Sequence, residues 1–225
     1  MYLFTLLRMA NEKINSKTIL LSGIPYLPRI SWIVTVLSFF ELTIITNEKY
    51  SRKLKLNRTN LVGVDGEFLL SVPVHVGGVI GETPNTSGSV VMTADEENWR
   101  RKHWHAIKAA YGQSTYFIFY EENFRKIILS EEKNLDALNE NLLREVFSIL
   151  QFPFPKLNYA TVSGEQIFLA KEQLKKMEQS VSPMEYRQVF AGFSPNLSVL
   201  DLIFNEGPEA RNVLMGMKNS KTIME

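Results

Sequence analysis

The stretch TILLSGIPYLPRISWIVTVLSFFELTIIT, residues 18–46, decides the fold class of this chain. Two short apolar segments, 18–23 and 42–46, have the composition of buried strands and flank an apolar stretch at 30–40. The β-branched residues of the middle stretch favour a strand. Pro28, however, suits the first turn of a helix, and a helix fits the strand–turn–helix–strand order better. The sequence therefore predicts a βαβ unit, in which ligands bind at the carboxyl ends of the strands.

A β-hairpin is predicted over residues 60–74. Two β-rich segments, NLVGV and EFLLSVPV, flank Asp65-Gly66, a pair typical of a type I′ turn. The hairpin is antiparallel, so a mixed sheet is expected. The glycine- and serine-rich stretch 77–89 predicts a surface loop, because it has neither of the glycine spacings that bind phosphate.

After residue 93 the apolar residues recur with the period of amphipathic helices. Thr93 and Glu96 predict a capping box for a helix that ends near Ala110, and Ser114 is predicted to cap the next one. A third helix is predicted over 134–150. LNYATV predicts one more strand, and EQIFLAKEQLKKMEQ a partly exposed helix.

These patterns predict an α/β fold, with a mixed sheet built mainly from the N-terminal half and a helical C-terminal half. A chain of 225 residues suits one domain, 1–225, of which residues 218–225 are expected to fray. The absence of cysteine excludes disulfides, zinc–thiolate sites and a cysteine nucleophile. A net charge of +1 gives no reason to expect nucleic acid as a partner. No apolar segment reaches the length of a bilayer span, so a soluble, cytoplasmic protein without a transmembrane segment is expected.

WRRKHWHAIKAAY, residues 99–111, carries two of the three histidines. On a helical wheel His103 lies on the apolar face with Trp99 and Ile107, whereas His105 lies on the charged face. The two histidines therefore point apart and cannot bind one metal ion. His103 is either a buried imidazole with a hydrogen-bond partner or a residue that transfers protons in a cleft.

A second group of polar residues lies in GFSPNLSVLDLIFNEGPEA, residues 192–210. Ser198 and Asp201 predict a capping box at the start of a short helix that Gly207 ends. Asp201 and Asn205 are one turn apart and share a face of this helix. Asp201 is therefore either a cap alone or part of a functional site.

Several motifs, ILLSGIPYLPRISW, WRRKHWHAIKAAYGQSTYF and GFSPNLSVLDLIFNEGP among them, occur in the order typical of the WbqC-like family, which this chain resembles over about residues 19–214. The chain departs from the family where RKLKLNR, 52–58, stands in place of a stretch such as KQTYRNR, and it lacks residues between Phe190 and Gly192. The positions that match the family pattern are Tyr26, Leu27, Pro28, Glu48, Tyr50, Asn57, Arg58, Trp99, His103, Trp104, Tyr111, Ser114, Asn196, Ser198, Asp201, Asn205 and Gly207.

The resemblance implies a bacterial protein of O-antigen or other surface-polysaccharide biosynthesis, and it favours the functional interpretation of His103. Our first hypothesis is a transferase that acts on a nucleotide-activated or lipid-linked sugar without a covalent intermediate. His103 would be the general acid or base and Asp201 would orient it, in a cleft walled by the helix at 99–111. Arg58 would face the cleft and hold a phosphate or carboxylate. The predicted substrate-binding residues are Tyr26, Asn57, Arg58, Trp99, Trp104, Tyr111, Ser114 and Asn205.

The second hypothesis is a non-catalytic accessory protein whose aromatic residues form an interface with a partner. A pocket lined jointly by Arg58, His103 and Asp201 would favour the enzyme, and dispersal of the three would favour the accessory protein. A zinc hydrolase is a distant third, because three histidines without the HExxH spacing form a poor metal site. No cofactor motif is present in the sequence, and no cofactor or metal ion is expected.

Overall fold

Three parallel strands form the central sheet in the order β1–β2–β7. The computed structural model describes residues 18–76, 90–94, 98–190 and 192–219. The three strands are β1 (Thr18–Leu21), β2 (Glu41–Ile45) and β7 (Lys156–Ala160). Leu42 in the central strand pairs with Ile19 on one side and Leu157 on the other. The predicted βαβ unit and the last strand are thus confirmed.

Helix α1 (Ile30–Val36) joins β1 to β2, and all seven of its residues are buried. Because its sequence is apolar on nearly every side, the helix must be surrounded by other elements. It packs against α5 (Gly164–Gln179), α6 (Val199–Glu206) and α7 (Ala210–Asn219). The helix predicted within 30–40 is therefore correct, and it lies in the centre of the fold.

The predicted hairpin consists of β3 (Arg58–Gly63) and β4 (Gly66–Ser71). The type I′ turn at Asp65-Gly66 is wrong. Val64 and Asp65 form the two-residue loop without positive φ, and Gly66 follows with φ 101°. A positive φ directly after such a loop is typical of a turn with a glycine bulge.

A second antiparallel ribbon pairs β5 (Val74–Val76) with β6 (Val91–Thr93). The loop predicted at 77–89 lies outside the described residues. Together with the parallel sheet, the two antiparallel ribbons confirm the α/β class with strands mainly from the N-terminal half.

The C-terminal half is helical, as predicted. Besides α5, α6 and α7 it contains α2 (Trp99–Tyr111), α3 (Phe117–Ile128) and α4 (Leu135–Ile149). Lys218 belongs to α7, and residues 220–225 of the end predicted to fray lie outside the described residues. Among the helices in the described part of the chain, none has the length and apolar content needed to cross a bilayer.

The predicted helix caps are partly wrong. Thr93 lies in β6, α2 begins only at Trp99, and Glu96 falls outside the described residues. The Ser114 hydroxyl donates to the Tyr111 carbonyl, 2.6 Å away, and caps no helix. Thr93 Oγ1 accepts a hydrogen bond from Arg100 at 3.4 Å, and this contact and the turn contact of Ser114 compete with the local capping pattern.

The loop 22–29, between β1 and α1, is largely buried and has irregular backbone. Leu27 has a φ of 43° although it is not glycine, and its side chain is fully buried. Three distant side chains donate to carbonyls of this loop: Asn139 to Ile24 at 2.8 Å, Thr59 to Leu27 at 2.7 Å and Ser198 to Leu27 at 3.1 Å. The loop therefore depends on α4, on β3 and on the start of α6 for its hydrogen bonds.

We expect Asn139→Leu to lower the free energy of unfolding by about 1–3 kcal/mol, because the Ile24 carbonyl would be left buried without a donor. Urea denaturation of the two proteins measures the difference. Asn123→Leu on α3 is the matched control, since Asn123 is exposed and donates to the half-buried Glu145 at the surface. Equal losses in the two variants would contradict this role of Asn139.

Candidate functional site

His103 lies in a buried aromatic cluster on α2 and is 5% exposed. Its Nδ1 is 3.1 Å from the Tyr26 hydroxyl, and its ring stands edge-on to Trp99 with 5.0 Å between centroids. Burial lowers the pKa of His103 to about 4; Arg100 adds to this effect and a backbone hydrogen bond with Ser71 opposes it. The helical wheel thus gave the correct face, and the imidazole is neutral at neutral pH.

Asp201, predicted to orient His103, lies in a different polar cluster on α6. The Tyr186 hydroxyl donates to Asp201 Oδ2 at 2.5 Å, and Gln188 Nε2 donates to the same oxygen at 2.8 Å. Burial raises the pKa of Asp201, and these hydrogen bonds oppose that shift. Asn205 donates to the backbone carbonyl of Asp201 at 2.8 Å. The predicted contact between His103 and Asp201 is therefore wrong, because each side chain is bound elsewhere.

The predicted capping box at the start of α6 is wrong in one half. The Ser198 hydroxyl accepts from the Leu200 N–H at 3.3 Å, so Ser198 is the N-cap as predicted. The Asp201 carboxylate points instead to Tyr186 and Gln188. Tertiary hydrogen bonds have replaced the local one.

Most of the other predicted substrate-binding residues are part of the core. Tyr26 and Tyr111 are fully buried, and Trp104 stacks on Phe117 with 6.0 Å between centroids. Asn57 donates to the Val72 carbonyl at 2.7 Å. These contacts favour structural roles, and substrate binding by the group stays a prediction.

Arg58 faces a cleft of about 440 Å³ beside the loop 22–29, which confirms its predicted orientation. Two further cations, Arg29 and Lys55, and one carboxylate, Glu178, line this basic cleft. Burial raises the pKa of Glu178, and Arg29 and Lys55 oppose the shift. Among the described residues Arg58 forms no salt bridge, and its Nε is buried without a partner. The cleft therefore has a positive potential.

A second cleft, of about 180 Å³, lies at the carboxyl edge of the parallel sheet. Ser22 directly follows β1, Thr46 directly follows β2, and Tyr159 lies near the end of β7; all three line it. This sheet-edge cleft occupies the position at which βαβ folds bind ligands.

The polar groups of the sheet-edge cleft come from the segment after β2 and from the start of α4. Glu48 forms an ion pair with Lys171, and its side chain is 9% exposed. Glu48 Oε2 and the Tyr50 hydroxyl are both buried, and no described residue forms a hydrogen bond with either atom. Asp136 also lines the cleft, and burial raises its pKa. Leu54 lines both clefts, so the two are neighbours.

Sequence reasoning located this region only in part. It gave the carboxyl ends of the strands, and the family pattern included Glu48, Tyr50 and Arg58. It missed Lys55 and Asp136, which have no distinctive sequence context. The helix at 99–111 was predicted to form a wall of the cleft. This prediction is wrong for both clefts, since no residue of α2 lines either one.

The model of the WbqC-like protein family matches residues 25–181 and 159–213. The chain belongs to this family. Both clefts of this WbqC-like protein are lined largely by residues inside the matched region. A relative in Mycobacterium tuberculosis, "Uncharacterized protein Rv1507c", is 25% identical over 77% of this chain and 87% of its own length. No solved structure matches.

The lowered pKa of His103 makes stability depend on pH. Between about pH 6.5 and pH 4, His103 binds a proton in the unfolded chain but not in the folded one. The free energy of unfolding therefore decreases as the pH is lowered, by up to about 1.4 kcal/mol per pH unit. His103→Gln has no such titration. We therefore expect the free energy of unfolding of wild type to exceed that of His103→Gln by less at about pH 4.5 than at about pH 7.

Urea denaturation at both pH values measures this difference. His105→Gln is the control, because His105 is exposed on the opposite face of the same helix. A difference that stays constant with pH would contradict a neutral, buried His103.

Proposed function

We propose that this WbqC-like protein is a transferase-type enzyme of surface-polysaccharide biosynthesis that binds the phosphate groups of an activated sugar in the basic cleft. The convergence of Arg29, Lys55 and Arg58 on one cleft carries the proposal. Family membership supports the polysaccharide context, and the charge of the cleft supports an anionic substrate. Both nucleotide-activated and lipid-linked sugars carry the phosphates that such a cleft would bind.

The chemistry of the side chains favours phosphate over a single carboxylate. Three cations against one carboxylate, Glu178, leave a charge excess that suits a diphosphate. Arg58 is half-buried, and its guanidinium can bind two oxygens at once, as arginine forks do. Arg58 is the first residue of β3, so the hydrogen bonds of the hairpin fix its backbone. The guanidinium group is therefore held near the cleft before the ligand binds.

The structure does not bring Arg58, His103 and Asp201 into one pocket. The burial of His103 and Asp201, and their bonds to Tyr26 and Tyr186, favour structural roles for both. Their catalytic roles stay predictions that one comparison decides. A folded, inactive His103→Gln would support general acid–base catalysis, whereas a folded and active variant would assign the residue to the core.

Two observations favour the accessory protein as the second candidate. The first is the dispersal of Arg58, His103 and Asp201, and the second is a pair of exposed apolar residues. Ile118 and Phe119, consecutive at the start of α3, are 74% and 69% exposed. Exposed apolar side chains next to each other suit a contact with another protein. An accessory protein of this kind would need no anionic small ligand in the basic cleft.

We expect inorganic pyrophosphate and a nucleoside diphosphate to bind the wild-type protein and raise its melting temperature. Arg58→Lys should weaken this binding about tenfold, because a lysine cannot provide the two-pronged contact. Isothermal titration calorimetry gives the dissociation constants. Arg101→Lys is the matched control, since Arg101 is exposed on α2 away from both clefts.

Two results would overturn the proposal. One is a wild-type protein that binds neither pyrophosphate nor a nucleoside diphosphate, which would favour the accessory protein. The other is an Arg58→Lys variant with unchanged affinity for both probes.

A further inference from the structure

We infer that the sheet-edge cleft is a sugar-binding site in which Glu48 and Tyr50 hydrogen-bond the hydroxyl groups of a single sugar ring. This inference rests on the proposed function for its substrate, because the sugar bound here would belong to the molecule whose phosphates occupy the basic cleft.

Two side-chain oxygen atoms at the cleft have unsatisfied hydrogen-bonding capacity. Glu48 Oε2 and the Tyr50 hydroxyl are buried, and neither has a hydrogen-bond partner among the residues that the structure describes. A buried polar atom without a partner costs about 1–3 kcal/mol. Both side chains line the cleft, so a ligand in the cleft can supply the missing bonds.

The chemistry of these two groups selects hydroxyls. An ionised carboxylate only accepts hydrogen bonds, while a tyrosine hydroxyl both donates and accepts. Sugar hydroxyls also donate and accept, so they satisfy both residues. A second carboxylate, Asp136, also lines the cleft; because Glu48 is paired with only one cation, Lys171, the acids leave an excess of negative charge that disfavours a phosphate. The sheet-edge cleft and the basic cleft thus differ in the sign of the charge that they select.

The walls and the size of the cleft fit one ring. Ile44, Leu54 and the Tyr159 side chain provide apolar surface for the C–H face of a sugar. The cleft volume of about 180 Å³ equals that of about six water molecules at ~30 Å³ each. This space suits one monosaccharide ring.

The position of the cleft connects the ring to the phosphates. Leu54 separates the two clefts and lines both. Burial raises the pKa of Tyr50, and Arg58 and Arg52 lie close enough to oppose the shift. A sugar held by Tyr50 would therefore have its phosphate within reach of Arg58.

The test uses methyl glycosides of neutral, amino and deoxy hexoses, titrated into the full chain and followed by NMR. We expect at least one glycoside to bind the wild-type protein, and Tyr50→Phe and Glu48→Gln each to weaken that binding about tenfold, the loss expected for one well-placed hydrogen bond. Tyr120→Phe on α3, outside both clefts, should bind like wild type.

Stability separates a binding role from a structural one. The Tyr50 hydroxyl has no partner in the described part of the chain, so Tyr50→Phe should melt at the same temperature as wild type or higher. This variant stays informative even if Glu48→Gln, which alters the ion pair with Lys171, does not fold. Weaker glycoside binding together with undiminished stability is the result that a structural role would not produce.

Two outcomes would overturn the inference: no glycoside of the panel binds, or Tyr50→Phe binds as tightly as wild type. Pyrophosphate titrated into the same proteins keeps the two proposals apart. Pyrophosphate binding without glycoside binding removes the sugar site and leaves the phosphate site intact. Glycoside binding without pyrophosphate binding removes the proposed function of the basic cleft and leaves the sugar site.

Discussion

The hydrogen bonds that hold the carbonyls of the loop 22–29 are the constraint on which the rest of this structure depends. The loop turns the chain from the central sheet into the buried helix α1, so its backbone lies where water cannot reach it. A buried carbonyl without a donor is costly, and the donors come from Thr59, Asn139 and Ser198, which are far apart in the sequence. The strained backbone at Leu27 persists because these contacts fix it from several sides.

The same loop shapes both clefts. Ser22 at its start lines the sheet-edge cleft, and Pro25, Pro28 and Arg29 line the basic cleft. The prolines restrict the backbone, and the buried carbonyls anchor it from the inside. The side chains that point outward are therefore placed by hydrogen bonds that the ligand never touches. A rigid scaffold of this kind reduces the backbone entropy that is lost when a ligand binds.

The sequence pattern predicted the secondary-structure elements well and the hydrogen-bond partners of side chains poorly, for a physical reason. Strand and helix identity follow from local periodicity, so α1, the hairpin and the C-terminal helices were correct. The partner of His103 is Tyr26, 77 positions away, and a helical wheel gives a face but no partner. The predicted caps failed at Thr93 and Asp201, whose side chains accept hydrogen bonds from other side chains, and at Ser114, whose hydroxyl donates to the Tyr111 carbonyl three residues earlier. Arg29 and Lys55 resemble ordinary surface cations until the fold brings them beside Arg58.

Burial combined with hydrogen bonding separates two kinds of polar residue that look alike in the sequence. His103, Asp201 and Asn205 are inward-facing and bound to other side chains or to backbone, and such networks help to select one packing of a core.

Three other residues differ from His103, Asp201 and Asn205 because each has an unpartnered polar atom and also lines a cleft. These residues are Glu48, Tyr50 and Arg58. Unpartnered atoms occur in the closed core as well, for example Oδ1 of Asn139, so neither feature is sufficient alone. Where both coincide, the missing bond can be completed only from the cleft side. The polar atoms that a ligand would satisfy are thus those of residues that line the two clefts, whereas His103 is bonded to Tyr26 inside the core.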